Sequence, residues 1–259
     1  GPYDLKALFP EGKKVFSNPK PLLLIERLIS FTSSEDDVCI DLFAGSSTLA
    51  HALFELGRNE GGCRKFISIQ YPEKIEPSSK DGKEALQFCE AVNMKPLISE
   101  ISKERIRRAG AKILEGECHP DWNRDVGFRV LKIDSSNMAD VYYTPDATTQ
   151  ADLLTRVDNI KPDRSPEDLL FQVLLDWGVD LTLPITRESV DGKTVFTVAD
   201  TALIACFDNG VDETLVKTLA TRKPLRVVFK DTGFSDDATK INVKQIFKSL
   251  SPDTDVKAI

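Results

Sequence analysis

The chain has 259 residues, 41% of them hydrophobic and 29% charged, and carries a formal net charge of −7. Such a length holds one large domain or two modest ones with a real apolar core, and the balance excludes a disordered or fibrous chain. An acidic chain offers nucleic acid no global field, so any such contact must come from a local basic patch.

In chain order, the turn Ser17-Asn18-Pro19-Lys20-Pro21 fixes an extended approach through its two prolines. A helix is predicted over 21–31, with Leu24, Ile25, Leu28 and Ile29 at helical spacing. A buried-strand pattern follows over 38–42. A small-residue turn, Phe43-Ala44-Gly45-Ser46-Ser47-Thr48, leads into a helix over 49–56 that is expected to stop near Gly57. A second strand spans 65–70 and ends at Pro72, completing one βαβ unit with parallel strands. Helices are then predicted over 83–92 and 102–114, a strand over 127–134, and an irregular acidic stretch to about 164.

From Ser165 the pattern renews. Ser165-Pro166-Glu167-Asp168 is a helix start with a serine cap and proline in the first turn, and the helix stops at Gly178. Strands over 181–189 and 193–198 flank a hairpin turn at Val190-Asp191-Gly192. A strand over 202–207, a helix over 212–220, a strand over 225–230, a helix over 241–250 and a strand over 255–259 make a second α/β unit. The expected domains are 1–135, an irregular linker over 136–164, and 165–259.

Several chemistries are poorly supplied. The longest apolar runs, over 22–25 and 202–207, fall far short of the roughly 18 residues of a membrane span. No charged-then-apolar leader opens the chain. The five cysteines stand apart with no Cys-x-x-Cys pair, which points to a reducing compartment rather than a disulfide framework. Cys118-His119 has only His51 as a further histidine, and the acids Asp231, Asp236 and Asp237 read as turn formers, so no metal is expected. Trp122 and Trp177 read as core. A nicotinamide dehydrogenase would share the βαβ logic, but the chain has neither a Gly-x-Gly-x-x-Gly turn nor an acid ending the second strand.

The turn over 43–47 admits two readings: a tight strand-to-helix connection, or a loop whose backbone amides approach a nucleotide-like ligand. The residues around it favour the second. Phe16-Ser17-Asn18-Pro19-Lys20-Pro21, followed by an apolar helix and Asp41-Leu42-Phe43-Ala44-Gly45-Ser46-Ser47-Thr48, resembles the cofactor half of amino-methylating DNA methyltransferases. Arg64-Lys65-Phe66-Ile67-Ser68-Ile69-Gln70-Tyr71-Pro72-Glu73, the run 98–109, the run 127–137, and the segments 169–185 and 230–237 are similar to the modification subunit of type III restriction-modification systems. The resemblance covers nearly the whole chain.

It implies a Rossmann-like half-domain binding S-adenosylmethionine, followed by a smaller α/β domain, in a cytoplasmic adenine-N6 methyltransferase. The implied cofactor residues are Asn18, Lys20, Pro21, Asp41, Phe43, Ala44, Gly45, Ser46 and Gln70, with Asp41 near the cationic methionine end. The implied partners are duplex DNA, a second modification subunit and the restriction subunit. Two residues depart from the family pattern: Ser47 replaces its second loop glycine, and Gln70 replaces the acid that commonly holds the ribose hydroxyls. The catalytic Asp-Pro-Pro-Tyr is missing, for no two of the fourteen prolines are adjacent. The family's subclass places that motif before the cofactor motifs, and this chain opens Gly1-Pro2 with no methionine, so a piece of a longer protein, inactive alone, is expected. The segment from about 165 has an alternative role as a non-catalytic assembly module.

The densest basic cluster lies over 103–112. Arg105, Arg108 and Lys112 share one helical face and are candidate DNA contacts; a solvated face of an amphipathic helix is the more economical reading.

Overall fold

A computed structural model describes residues 1–12, 14–139 and 159–259, and the chain divides into two compact units, Gly1–Leu131 and Lys132–Ile259. Most of the expected linker over 136–164 lies outside the described residues. Its two flanks are held together, with the Ala139 N–H donating to the Asn159 carbonyl and Lys161 N–H to that of Asn137. Among the described residues no helix is long and apolar enough to cross a membrane.

The first unit opens with α1 (Pro2–Leu8), a helix outside the predicted elements. The unit continues with α2 (Leu22–Thr32), β1 (Val38–Asp41), α3 (Thr48–Glu60), β2 (Lys65–Ser68), α4 (Lys80–Ala91) and α5 (Ile98–Leu114). β1 and β2 are parallel, with Ile40 opposite Ile67 and Asp41 opposite Ser68, as a βαβ unit requires. α3 is buried on nearly all sides, packing against α2 and α5, with Phe54 edge-on to Phe66 of β2 at 6.0 Å.

Two expectations fail here. Gly57 does not end α3, which runs three residues further to Glu60. The position is glycine because the Trp122 indole lies against it: a Cβ there would stand 2.5 Å from the ring nitrogen. The predicted strand over 127–134 is irregular chain, and the sheet of this unit holds only β1 and β2 among the described residues. Alternating apolar residues suit a pleat, but a strand forms only where a neighbouring edge supplies ladder partners. Val130, Leu131 and Ile133 are exposed instead.

The second unit is built as predicted, with shifted ends. α6 (Pro166–Asp176) starts on a capping box in which the Ser165 hydroxyl accepts from Asp168 N–H and the Asp168 carboxylate accepts from Ser165 N–H. β3 (Ile185–Val190) and β4 (Lys193–Val198) turn through Asp191-Gly192, both at positive φ, the conformation that two-residue hairpins favour. β3 begins after Pro184 rather than at 181, since proline donates no ladder hydrogen bond. β5 (Leu203–Cys206), α7 (Glu213–Thr221), β6 (Arg226–Phe229), α8 (Asp237–Leu250) and β7 (Asp255–Ala258) complete it.

The sheet order is β3-β4-β5-β6-β7, antiparallel up to β5 and parallel beyond. Its strands alternate between two helical layers. Leu203, Ala205 and Val228 meet Leu170, Val173 and Leu174 of α6, while Ile204, Cys206, Val227 and Phe229 meet Leu219, Val243 and Phe247 of α7 and α8. A sheet with parallel strands must be covered on both faces, and this one is.

Candidate functional site

The site is assembled around the turn that joins β1 to α3. At the end of β1, Asp41 Oδ1 accepts from the Phe43 N–H at 3.2 Å, folding the chain sharply after the strand. The Ala44 N–H donates to the Ile69 carbonyl at 3.0 Å and the Gly45 N–H to Gln70 Oε1 at 2.7 Å, so the turn is tied to the end of β2. Gly45 takes φ +53° and Ser47 takes φ 55°, ψ 51°, two left-handed positions within three residues. Glycine adopts that conformation freely, whereas serine is strained there by about 1 kcal/mol, the physical content of the missing second glycine.

The structure therefore brings together Asp41, Phe43, Ala44, Gly45, Ser46 and Gln70. Ala44 and Ser46 are buried, and Phe43 is 90% exposed. Gln70 also donates from Nε2 to the Tyr71 carbonyl at 2.9 Å, leaving one lone pair and one N–H of its amide for another partner. The opening segment reaches the turn through Phe16, whose ring tip would stand 3.3 Å from a Cβ at Gly45. Asn18, Lys20 and Pro21 are exposed, and Pro21 caps the start of α2.

Behind the turn stands α5. The Ser102 hydroxyl donates to the Gly45 carbonyl, and Arg105 Nη1 donates to the Ser46 carbonyl (3.2 Å), Ser46 Oγ (2.8 Å) and Thr48 Oγ1 (2.8 Å). Arg105 Nη2 lies 3.5 Å from His51 Nδ1. Arg105 is fully buried, which overturns its assignment as a DNA contact. The helix repeats a buried residue every fourth position, Ile101, Arg105, Ala109 and Ile113, so the arginine sits on the apolar stripe rather than opposite it. Arg108 is engaged by Glu104 at 2.8 Å and Glu11 at 2.5 Å, with its guanidinium over Phe9; of the three candidates Lys112 alone is exposed.

Burial lowers the Arg105 guanidinium to about 10, so it stays charged at neutral pH. His51 is also buried, and desolvation is the largest cause of its lowered pKa. Contact with Glu55 (3.8 Å) opposes that, and the Arg105 and Lys112 charges reinforce it. The unfolded chain then takes up the His51 proton near the ordinary value of 6.5 while the folded chain refuses it. Stability is full above that pH and falls as the pH drops below it, down to the folded pKa. The expected result is a melting temperature that declines as the pH is lowered from about 6.5, with a flatter decline in His51→Gln; thermal melts of both proteins from pH 5 to 8 check it.

Ser102 and Phe16 were not identified as site residues from the sequence, and Arg105 was read as a DNA contact rather than as a partner of the turn. The available signal was a serine and an arginine interrupting an apolar helical stripe, which marks polar groups that need buried partners. In the other unit, Asp236 caps α8 by accepting from the Thr239 N–H at 2.7 Å, and Asp231 pairs with Lys240 at 2.8 Å, so these acids are structural.

Comparison with known proteins gives sequence matches. Residues 5–81 match the family described as DNA methylase. The chain is 30% identical over 257 residues to the type III restriction-modification enzyme EcoP15I Mod subunit of Escherichia coli, a match covering 96% of this chain and 36% of that relative. Over 118 residues it is 36% identical to the StyLTI Mod subunit of Salmonella typhimurium, covering 46% of this chain and 16% of the relative. It is 42% identical over 59 residues to the type II methyltransferase M.KpnI of Klebsiella pneumoniae, covering 23% and 14% of the two chains. The chain thus spans about a third of the length of the EcoP15I Mod subunit.

Proposed function

From the match of residues 5–81 to the DNA methylase family and the similarity to type III modification subunits, we propose that the chain supplies the S-adenosylmethionine-binding half of an adenine-N6 DNA methyltransferase. The observation that carries this reading is the hydrogen-bonded assembly of the β1 end, the 43–47 turn and Gln70 within the family-matched residues.

The residues present suit the cofactor. Among the described residues Asp41 engages only Oδ1, which leaves Oδ2 for the ammonium of the methionine end. The exposed Phe43 ring offers a face to a flat heterocycle, and the remaining amide capacity of Gln70 is of the kind that binds a ribose hydroxyl. Bound S-adenosylmethionine supplies an electrophilic sulfonium methyl. This chain binds and orients it, a positioning role that carries much of the barrier in such transfers.

The acceptor side is supplied elsewhere. The chain has no Asp-Pro-Pro-Tyr to accept the N6 hydrogens and stack on an extruded adenine. One face of the β1–β2 pair is bare, with Val38, Ile40, Leu42, Ile67 and Ile69 all 48–59% exposed, where parallel strands are ordinarily covered on both sides. A polypeptide carrying the catalytic motif fits that face. The second unit is proposed to serve assembly, pairing modification subunits or receiving the restriction subunit, in the cytoplasm.

Calorimetric titration of the chain with S-adenosylmethionine is expected to show one site, with no methyl transfer to an adenine-containing duplex by the chain alone. Transfer appearing when a catalytic-motif polypeptide is added supports the division of labour. Absence of cofactor heat refutes the binding role, and transfer by the chain alone refutes the half-enzyme reading.

A further inference from the structure

We propose that Ser102 and Arg105 of α5 are the positioning residues of the cofactor turn, a two-point clamp that fixes which backbone groups the turn presents to its ligand. This inference rests on the reading of the turn as a cofactor site.

The Gly45 carbonyl accepts from the Ser102 hydroxyl, on the α5 side. A trans peptide sets the N–H of the next residue opposite that carbonyl, so the Ser46 N–H points away from α5. The neighbouring amides are already committed: Phe43 to Asp41, Ala44 to Ile69, Gly45 to Gln70 and Ser47 to Ala44. Among the described residues the Ser46 N–H alone in this run has no acceptor within the chain. A turn that satisfies its other amides internally and leaves one donor on the side away from its supporting helix is arranged for a single acceptor atom, such as a carboxylate oxygen of the methionine end.

Arg105 holds the second plane. Its Nη1 bonds the Ser46 carbonyl and hydroxyl together with the Thr48 hydroxyl, so one guanidinium nitrogen spans the left-handed Ser47 from both sides. The residue is wholly buried, forms no ion pair with a carboxylate among the described residues, and leaves Nε without a partner. Burying a charge in such surroundings is costly, and a hydrophobic residue would fill the stripe of α5 without that cost. What arginine adds is a rigid donor fork aimed at the turn. Its net charge, acting from behind the loop, also makes the potential at the turn more positive, which favours an anionic group at the free amide.

The test reads the turn with and without ligand. Backbone amide hydrogen exchange of the whole chain, together with S-adenosylmethionine titration, is compared for the wild type, Ser102→Ala, Arg105→Lys and Arg105→Met. In the wild type, the unbonded Ser46 amide is expected to exchange faster than the bonded amides of Ala44, Gly45 and Ser47, and to become protected on cofactor addition. Ser102→Ala is expected to weaken cofactor affinity by about 5- to 30-fold, the loss of one hydrogen bond to an ordered group, and to speed Gly45 and Ser47 exchange without changing exchange in α4. Arg105→Lys keeps the charge but not the fork and is expected to fall between wild type and Arg105→Met. Unchanged turn exchange and affinity in Ser102→Ala and Arg105→Lys overturns the clamp. If the wild type binds no cofactor, the cofactor role fails, and the exchange of the turn in the variants still decides the clamp.

Discussion

Phe229→Ala is expected to destabilise the second unit by about 3–5 kcal/mol, the cost of emptying a fully buried aromatic site. Phe229 lies on β6 between β5 and β7, paired opposite Cys206 and Ala258, and it is completely buried. Its ring stands 5.4 Å from Phe234 and 6.4 Å from Phe247, so truncation removes both aromatic contacts and leaves a hole beneath α8. Natural domains hold only about 5–15 kcal/mol in total, so this single change consumes a large share of the unit's stability. Denaturant unfolding followed through Trp177, with Trp122 replaced by Phe in both proteins, measures it. S-adenosylmethionine affinity is expected to be unaltered, because every proposed cofactor residue belongs to the other unit. A shift under 1 kcal/mol, or a parallel loss of cofactor binding, contradicts the two-unit account.

Gly57→Val is expected to destabilise the first unit by about 1–3 kcal/mol, the usual range for overpacking. On helical propensity alone the sign would be the reverse for Gly57→Ala, since glycine inside a helix costs about 1 kcal/mol relative to alanine. Propensity loses here because the space is occupied. A Cβ at Gly57 would lie 2.5–2.9 Å from three atoms of the Trp122 indole, a rigid ring that is itself buried in the core of the unit. Valine adds two further carbons in the same direction. Urea unfolding of Gly57→Ala and Gly57→Val tests the ordering: both are expected below wild type, valine lower. A gain in stability by alanine shows that the indole has room to retreat and removes the packing explanation for this glycine.

The same contrast between local preference and tertiary demand runs through the candidate site. The apolar spacing over 21–31, the capping residue Ser165 and the Asp191-Gly192 turn are local signals, and their elements appear with ends shifted by a residue or two, whereas the cap at Asp236 was read as a turn and its helix begins four residues before the predicted 241. The grouping of Asp41, the 43–46 turn and the end of β2 was legible for the same reason: a βαβ unit puts the ends of both parallel strands side by side. Arg105 was misplaced, because a cation within the run 103–112 looks like surface from composition. Its partners, the Ser46 carbonyl and the hydroxyls of Ser46 and Thr48, lie more than fifty residues earlier.

The amino-acid order alone determined the alternation of helices and strands, the hairpin, the small-residue turn and the absence of a catalytic Asp-Pro-Pro-Tyr, because periodicity, capping and motif content are properties of neighbouring residues. Only the tertiary structure decided that 127–134 is not a strand, that Gly57 receives an indole instead of ending a helix, and that Arg105 faces inward. A ladder needs a second edge, a close contact needs the group that approaches, and a buried charge needs the distant acceptors that satisfy it. Those requirements are met by residues brought together from far along the chain, so no local pattern contains them.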